Sequence, residues 1–260
     1  MQLPGFITSD STFFSKDTLF YAEQLGARLP GMAGDPVPYT MYSDDILVCL
    51  VLLCFATSLC AFAYSRHAIL YQLTNFFYVP STEYAKTDVP NRLVLAILNV
   101  QTSLLAALAW YFYTVHYIAD DYLLDTTYIL IAVYFGVFIA YFLSKTVIYK
   151  FVNAVFFNGK KNEQVTWQLS FIVALEGILF LPAIISQFYL GLSMETVTHY
   201  AVFLLILAKL MTFYKCWVIF FRQTSVFLQI ILYFCALEII PLLILSGVLV
   251  TITNELKVTF

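Results

Sequence analysis

Six stretches of this chain are each apolar for about the twenty residues that a helix needs to cross a hydrocarbon core roughly 30 Å thick. They run over about Ile46–Tyr64, Leu93–Tyr117, Thr127–Ile148, Trp167–Tyr189, Thr196–Lys215 and Ser225–Val248. A backbone in lipid has no water to bond and must satisfy its polar groups internally, which a helix does within one segment. The expected fold class is therefore an all-α integral membrane protein, a six-transmembrane-helix bundle. Composition agrees. Charged residues make up only 11% of the chain, against about 25% in a soluble domain, so most of its surface must meet lipid. No basic stripe suggests nucleic acid.

Lysine and arginine set the expected orientation, because they collect on the cytoplasmic side of membrane proteins. Arg66, Lys86, Arg92, Lys145, Lys150, Lys160, Lys161, Lys209, Lys215 and Arg222 fall on one side, some of them within helix ends. Only Lys16, Arg28 and Lys257 fall on the other. Both termini are expected outside the cytoplasm. The opening MQLPGFITSD has neither the basic start nor the apolar run of a signal peptide, and no lipidation signal is expected.

Two domains follow: residues 1–45 as an outer segment, and residues 46–260 as the six-span membrane domain. Within the first, SKDTLFYAEQLGARLPG reads as a short amphipathic helix from about Asp17, stopped near Gly31, with Leu19, Phe20 and Tyr21 at the lipid interface. On the inner side, HAILYQLTNFFY and FVNAVFFNGKKNE read either as interfacial helices or as plain loops with aromatic anchors. Cys49, Cys54, Cys60, Cys216 and Cys235 lie in apolar segments without CxxC spacing and are expected to be small buried hydrophobes.

The spans contain two acids in similar settings. Ala174–Ile178 is ALEGI and Ala236–Ile240 is ALEII, and Pro182 and Pro241 follow. Upstream, Lys145, Tyr149–Lys150 and Phe156–Phe157 are echoed by Lys209, Tyr214–Lys215 and Phe220–Phe221. The order reads as a duplicated two-helix unit, helices 3–4 matching 5–6 in parallel about an axis along the membrane normal.

The run LAKLMTFYKCWVIFFRQTSVFLQIILYFCALEIIPLLIL resembles the C-terminal core of a family of multi-span inner-membrane proteins from Bacteroidota, known only as a domain of unknown function. The resemblance spans roughly Ile46 to Gly247. It implies a bacterial inner (cytoplasmic) membrane and a periplasmic N-terminus, and it brings no activity, substrate or catalytic residue.

An ionised carboxylate deep in a span costs about 2.5–3.5 kcal/mol even on the lenient insertion scale. Glu176 and Glu238 must therefore be protonated, paired or wetted. Side chains lean toward the N-terminus of their own helix, so Lys145 and Glu176, and Lys209 and Glu238, lean together across antiparallel hairpins. Lys145 equally suits snorkelling to the inner interface. The prolines free the carbonyls of Ile178 and Leu237, and Asn99 and Gln101 on the second span are further partners for buried polar groups. Two readings stand: polar clusters that fix helix register, or a proton-linked site.

His116 with Asp120, and Glu195 with His199, have the four-residue spacing of paired metal ligands. Asp120 and Glu195, however, sit at helix ends, where polar residues are common. HExxH, GxSxG and P-loop motifs are absent. The expectation is therefore no metal, no cofactor and no catalytic residue. The favoured function is a non-catalytic membrane-embedded subunit or scaffold of an inner-membrane assembly, in contact with the lipid bilayer and other membrane-protein subunits. The alternative is a small proton-coupled transporter or channel using Glu176 and Glu238.

Overall fold

In the computed structural model, every apolar stretch is helical. The structure describes residues 45–74, 76, 92–118, 127–156, 159–218 and 227–256. The amphipathic helix expected near Asp17 lies outside them. The helices are α1 (Asp45–Thr74), α2 (Arg92–Tyr117), α3 (Thr127–Phe156), α4 (Gly159–Leu190), α5 (Met194–Cys216), α6 (Phe227–Phe234) and α7 (Ile240–Leu256). A π-helical turn, Cys235–Ile239, joins α6 to α7, and the three together supply the sixth span, Ile231–Leu256. The protein is a multi-pass membrane protein with six candidate spans and lipid around it.

Three helices are longer than their spans require, and always at the same end. α1 continues to Thr74 after its expected stop at Tyr64, α3 continues to Phe156 past Ile148, and α4 begins at Gly159 rather than Trp167. Thirty residues make a helix of about 45 Å, well beyond a core of roughly 30 Å. The segments expected to be interfacial helices or loops are thus, over their described residues, largely extensions of the spanning helices. α1 bends where the first span was expected to finish: Ser65 has non-helical φ −117°, ψ 19°. At the other end, the α4–α5 connection is tight. Gly191 takes φ +62°, a left-handed conformation that suits glycine, and the Ser193 hydroxyl caps α5 by accepting from the Thr196 amide at 3.4 Å.

α2 and α4 are the most buried helices and pack directly on each other. Gly177 makes this possible: a Cβ there would lie 2.0 Å from Thr102 Oγ1 and 3.2 Å from Thr102 Cα. Small residues at a crossing let backbones approach closely, which matters in lipid because water supplies no force between helices. Thr102 Oγ1 donates to the Val173 carbonyl, 3.1 Å away, adding a bond across the same crossing. α1, α3 and α5 pack around this pair, and α7 leans on α3, while the backbones of α5 and α7 approach closely at few or no positions.

Large apolar side chains face outward from α1, α5 and α7, among them Leu53, Phe203, Leu243 and Ile244. Of the cysteines, Cys54 and Cys216 are buried, but Cys49 and Cys60 are exposed and Cys235 is intermediate. The expectation of five buried cysteines fails because a lipid-facing helix surface suits a small apolar side chain as well as a core does.

Candidate functional site

Glu238 lies within the π-turn and is only 1% exposed. The Ile240 amide reaches back to the Cys235 carbonyl, so one extra residue is wound into the turn just before Pro241. Proline has no amide to donate, and a π-turn is a common way to re-aim one side chain inside an α-helix.

Two lysines and a tyrosine surround the carboxylate of Glu238. Lys145 Nζ lies 2.8 Å from both of its oxygens. Lys209 Nζ donates to Oε2 at 2.7 Å, and the Tyr149 hydroxyl donates to Oε1 at 2.6 Å. Lys209 also reaches the Tyr141 hydroxyl, 3.4 Å away. The expected Lys209–Glu238 pair is present. Lys145 does not pair with Glu176: it crosses to Glu238, because α3 packs on the π-turn and α7 as well as on α4. Nor does Lys145 snorkel, being only 7% exposed.

α3 carries a polar stripe at four-residue spacing: Tyr141, Lys145, Tyr149 and Asn153. Residues four apart share a helix face. Three of these side chains reach Glu238 or its lysines, and Asn153 Oδ1 accepts from the Tyr233 hydroxyl of α6 at 2.6 Å. Sequence reasoning used Lys145 and Tyr149 only as repeat markers or as a partner for Glu176. The stripe was the signal that connects them.

Glu176 is placed differently. Eleven residues beyond Val165, where its span begins, it sits about 16 Å along the helix. Its side chain lines a partly open cavity of about 390 Å³ walled by α2, α3, α4, α5 and α7. Lys145, Lys209 and Tyr141 line the same space, while Glu238 sits behind the lysines. Glu176 has no ion pair or hydrogen bond among the described residues, although Lys209, Lys145 and Glu238 are its electrostatic neighbours. Most of the remaining wall is apolar, extending past Ala201 and Trp110 to Met194.

Asn99 and Gln101 do not contact either glutamate. Gln101 ties α2 to α1: its Oε1 accepts from Thr57 at 2.8 Å and its Nε2 donates to Ser58 at 2.5 Å. Asn99 Oδ1 is buried without a partner among the described residues, and its side chain borders a small pocket beside Lys145 and Tyr149. The prolines act differently from each other. Near Pro182 the Tyr200 hydroxyl binds the Leu179 carbonyl at 2.9 Å, one residue beyond the carbonyl that this proline frees. At Pro241 the backbone widens into the π-turn instead.

A second polar node, missed in the sequence, links the opposite end of the bundle. Thr253 Oγ1 lies 3.0 Å from the Tyr134 hydroxyl and accepts from Trp110 Nε1 at 3.4 Å. It joins α2, α3 and α7. Of the residues weighed as metal ligands, Asp120 lies outside the described residues, and His199 Nδ1 lies 2.8 Å from the Glu195 carbonyl oxygen.

A protein-family model described as Domain of unknown function (DUF4271) matches residues 46–249. The chain belongs to the DUF4271 family. The match covers every described helix except the first residue of α1 and the end of α7, so both glutamates and both lysines fall inside the DUF4271 domain. No curated protein and no solved structure matches the chain. What this DUF4271 protein does must therefore be argued from its own residues.

The two acids of the repeat both face inward, yet they are not equivalent. Both repeat-unit lysines converge on Glu238, and Glu176 fronts open space. The first ALE segment stays α-helical through Pro182 while the second is π-helical. The two segments are alike in sequence and unlike in their polar contacts.

Proposed function

We propose that this DUF4271 protein is a small proton-linked transporter or channel, in which Glu176 loads and releases a proton and Glu238 is a fixed ionic anchor. The observation that carries this reading is the contrast between the two acids. Glu238 is clamped by two ammonium groups and a phenol, which favours a permanently ionised carboxylate. Glu176 faces a cavity with neither an ion pair nor a hydrogen bond among the described residues, so no direct partner locks either of its forms and its proton can be exchanged. Two lysines beside it mean that gaining or losing that proton changes the field in the cavity.

The subunit or scaffold reading, which the sequence alone favours, has no comparable feature behind it. The exposed apolar faces of α1, α5 and α7 suit lipid as well as partner subunits. For location, we infer a bacterial inner membrane with both termini periplasmic, supported by the ten basic residues on one side against three on the other and by the Bacteroidota resemblance.

Substituting Glu176 in the native host, at matched membrane abundance, tests the proposal. A proton-linked protein loses its ability to rescue a deletion strain as Glu176→Gln and keeps part of it as Glu176→Asp. Full rescue by Glu176→Gln would return the advantage to the scaffold reading, which copurification of stoichiometric partners in mild detergent would then support.

A further inference from the structure

The cavity has the chemistry of a ligand site as well as of a proton site. Its volume, about 390 Å³, lies near the lower end of ligand pockets, roughly 300–1,000 Å³. That suits one chain rather than a two-chain lipid. It follows α5 from Met194 to Lys209, fifteen residues or about 22 Å. The walls are apolar along most of this length and charged at one end. The side between α5 and α7 is where access fits best: the two backbones approach closely at few or no positions, and Val202 both lines the cavity and is half exposed on the outer surface.

Charge balance at the polar end selects the ligand. The titratable and charged groups that share the cavity with Glu176 are Lys145 and Tyr141 on α3 and Lys209 on α5, with Glu238 of the π-turn behind the lysines. Of titratable side chains, α2 adds only Tyr113 to the cavity wall, among Thr102, Ala106, Ala109 and Trp110. With both glutamates ionised, two positive and two negative charges cancel. With a proton on Glu176, one positive charge is left over, and it resides on lysines that already line the cavity. A buried site strongly resists an uncompensated charge, so the protonated state calls for one anion.

We propose that the cavity takes up a single-chain hydrophobic carboxylate from the bilayer, its head beside Lys145 and Lys209 and its tail along the apolar wall toward Met194, and that Glu176 gains one proton as the anion binds. The step balances: one anion and one proton enter together, no covalent bond other than the Glu176 O–H forms, and the charge of the site returns to zero. This inference rests on the proton-linked reading of Glu176 and adds the substrate class to it.

Trp110 lines the cavity, and a bromine atom nearby quenches indole fluorescence. In purified protein carrying Trp167→Phe and Trp217→Phe, only Trp110 emits under excitation that tyrosine does not absorb. Brominated laurate is expected to quench it saturably. Brominated lauryl alcohol, which partitions into detergent alike, gives only the unsaturable background. Ala201→Phe fills the cavity and removes the saturable part. Laurate affinity falls about tenfold per pH unit above the point at which Glu176 releases its proton. In Glu176→Gln, which always carries the neutral form, binding stays tight and loses that dependence.

Should the tryptophan substitutions unfold the protein, proton uptake by the otherwise native chain gives the same answer. In weakly buffered detergent, about one proton is taken up per laurate bound, and none in Glu176→Gln. Equal binding of the alcohol, or laurate binding that ignores both pH and the Glu176→Gln exchange, overturns the inference. If Glu176 titrates in ligand-free protein while laurate fails to bind, the proton reading stands and the substrate class falls.

Discussion

Lys145 and Glu238 meet at 2.8 Å across 93 residues of sequence, joining the third span to the π-turn of the sixth. Lys209 and Tyr149 complete the shell. Each ammonium would be expensive alone in lipid, and so would the carboxylate. Together they form a satisfied polar core in an apolar bundle.

Glu238→Leu removes the only carboxylate that either lysine binds among the described residues. Breaking a buried pair typically costs roughly 3–5 kcal/mol, because a charge is left stranded. The variant should unfold at clearly lower temperature in detergent and be depleted from membranes. Adding Lys145→Met and Lys209→Met should recover much of that stability, since a buried ionic cluster can often be replaced by apolar groups of similar size without loss. Thermal unfolding of the single and triple variants gives the comparison. A triple variant no more stable than Glu238→Leu would mean that stranded charge is not the cause.

Tyr149→Phe should cost less, about 1.5–3 kcal/mol for one hydrogen bond to a charged group, because both lysines still hold the carboxylate. The same melting measurement ranks it between wild type and Glu238→Leu.

Gly177→Ala should destabilise the bundle by about 1–3 kcal/mol, the usual cost of forcing extra atoms into a packed interface. The new Cβ meets Thr102 Oγ1 at 2.0 Å, its Cβ at 2.9 Å and its backbone Cα at 3.2 Å. Thr102→Ala in the same chain removes only the first of these contacts, so rescue should be incomplete. Gly136→Ala and Gly247→Ala meet nothing within 4 Å and serve as neutral controls for the melting temperature.

A reporter active only in the cytoplasm should work when fused after Lys160 and fail when fused after Val258. Signal at both positions would contradict the orientation inferred from the basic residues.

The six spans were legible because hydropathy and helix length are nearly forced in lipid. The ends near Leu70 and Phe151 were not: there the helix carries on past the length a hydrocarbon core needs, where hydropathy no longer marks a boundary. The Lys209–Glu238 pair could be read from the lean of side chains across an adjacent hairpin. The choice of Lys145 could not, because it depends on which face α3 turns toward the sixth span. That rotation shows only in the Tyr141, Lys145, Tyr149 and Asn153 stripe taken as a whole. The extra residue of the π-turn had a hint in Pro241, yet Pro182 follows a similar motif and leaves its helix α. Glu176 is legible as a costly acid, but its cavity is formed where α2, α3, α4, α5 and α7 meet, which no local pattern records.

Exchange of a proton at Glu176 beside an ionised Glu238 is the property to measure. Infrared difference spectroscopy reads this directly, because a protonated carboxyl has a carbonyl band that a carboxylate lacks. Titrating wild-type protein in nanodiscs from acid to alkaline buffer should remove one such band in the membrane-embedded region. The band should be missing at every pH in Glu176→Gln and unchanged in Tyr149→Phe, where Glu238 keeps both lysines. A titrating band that survives Glu176→Gln would contradict the account, as would a Glu176 that remains in one protonation state throughout.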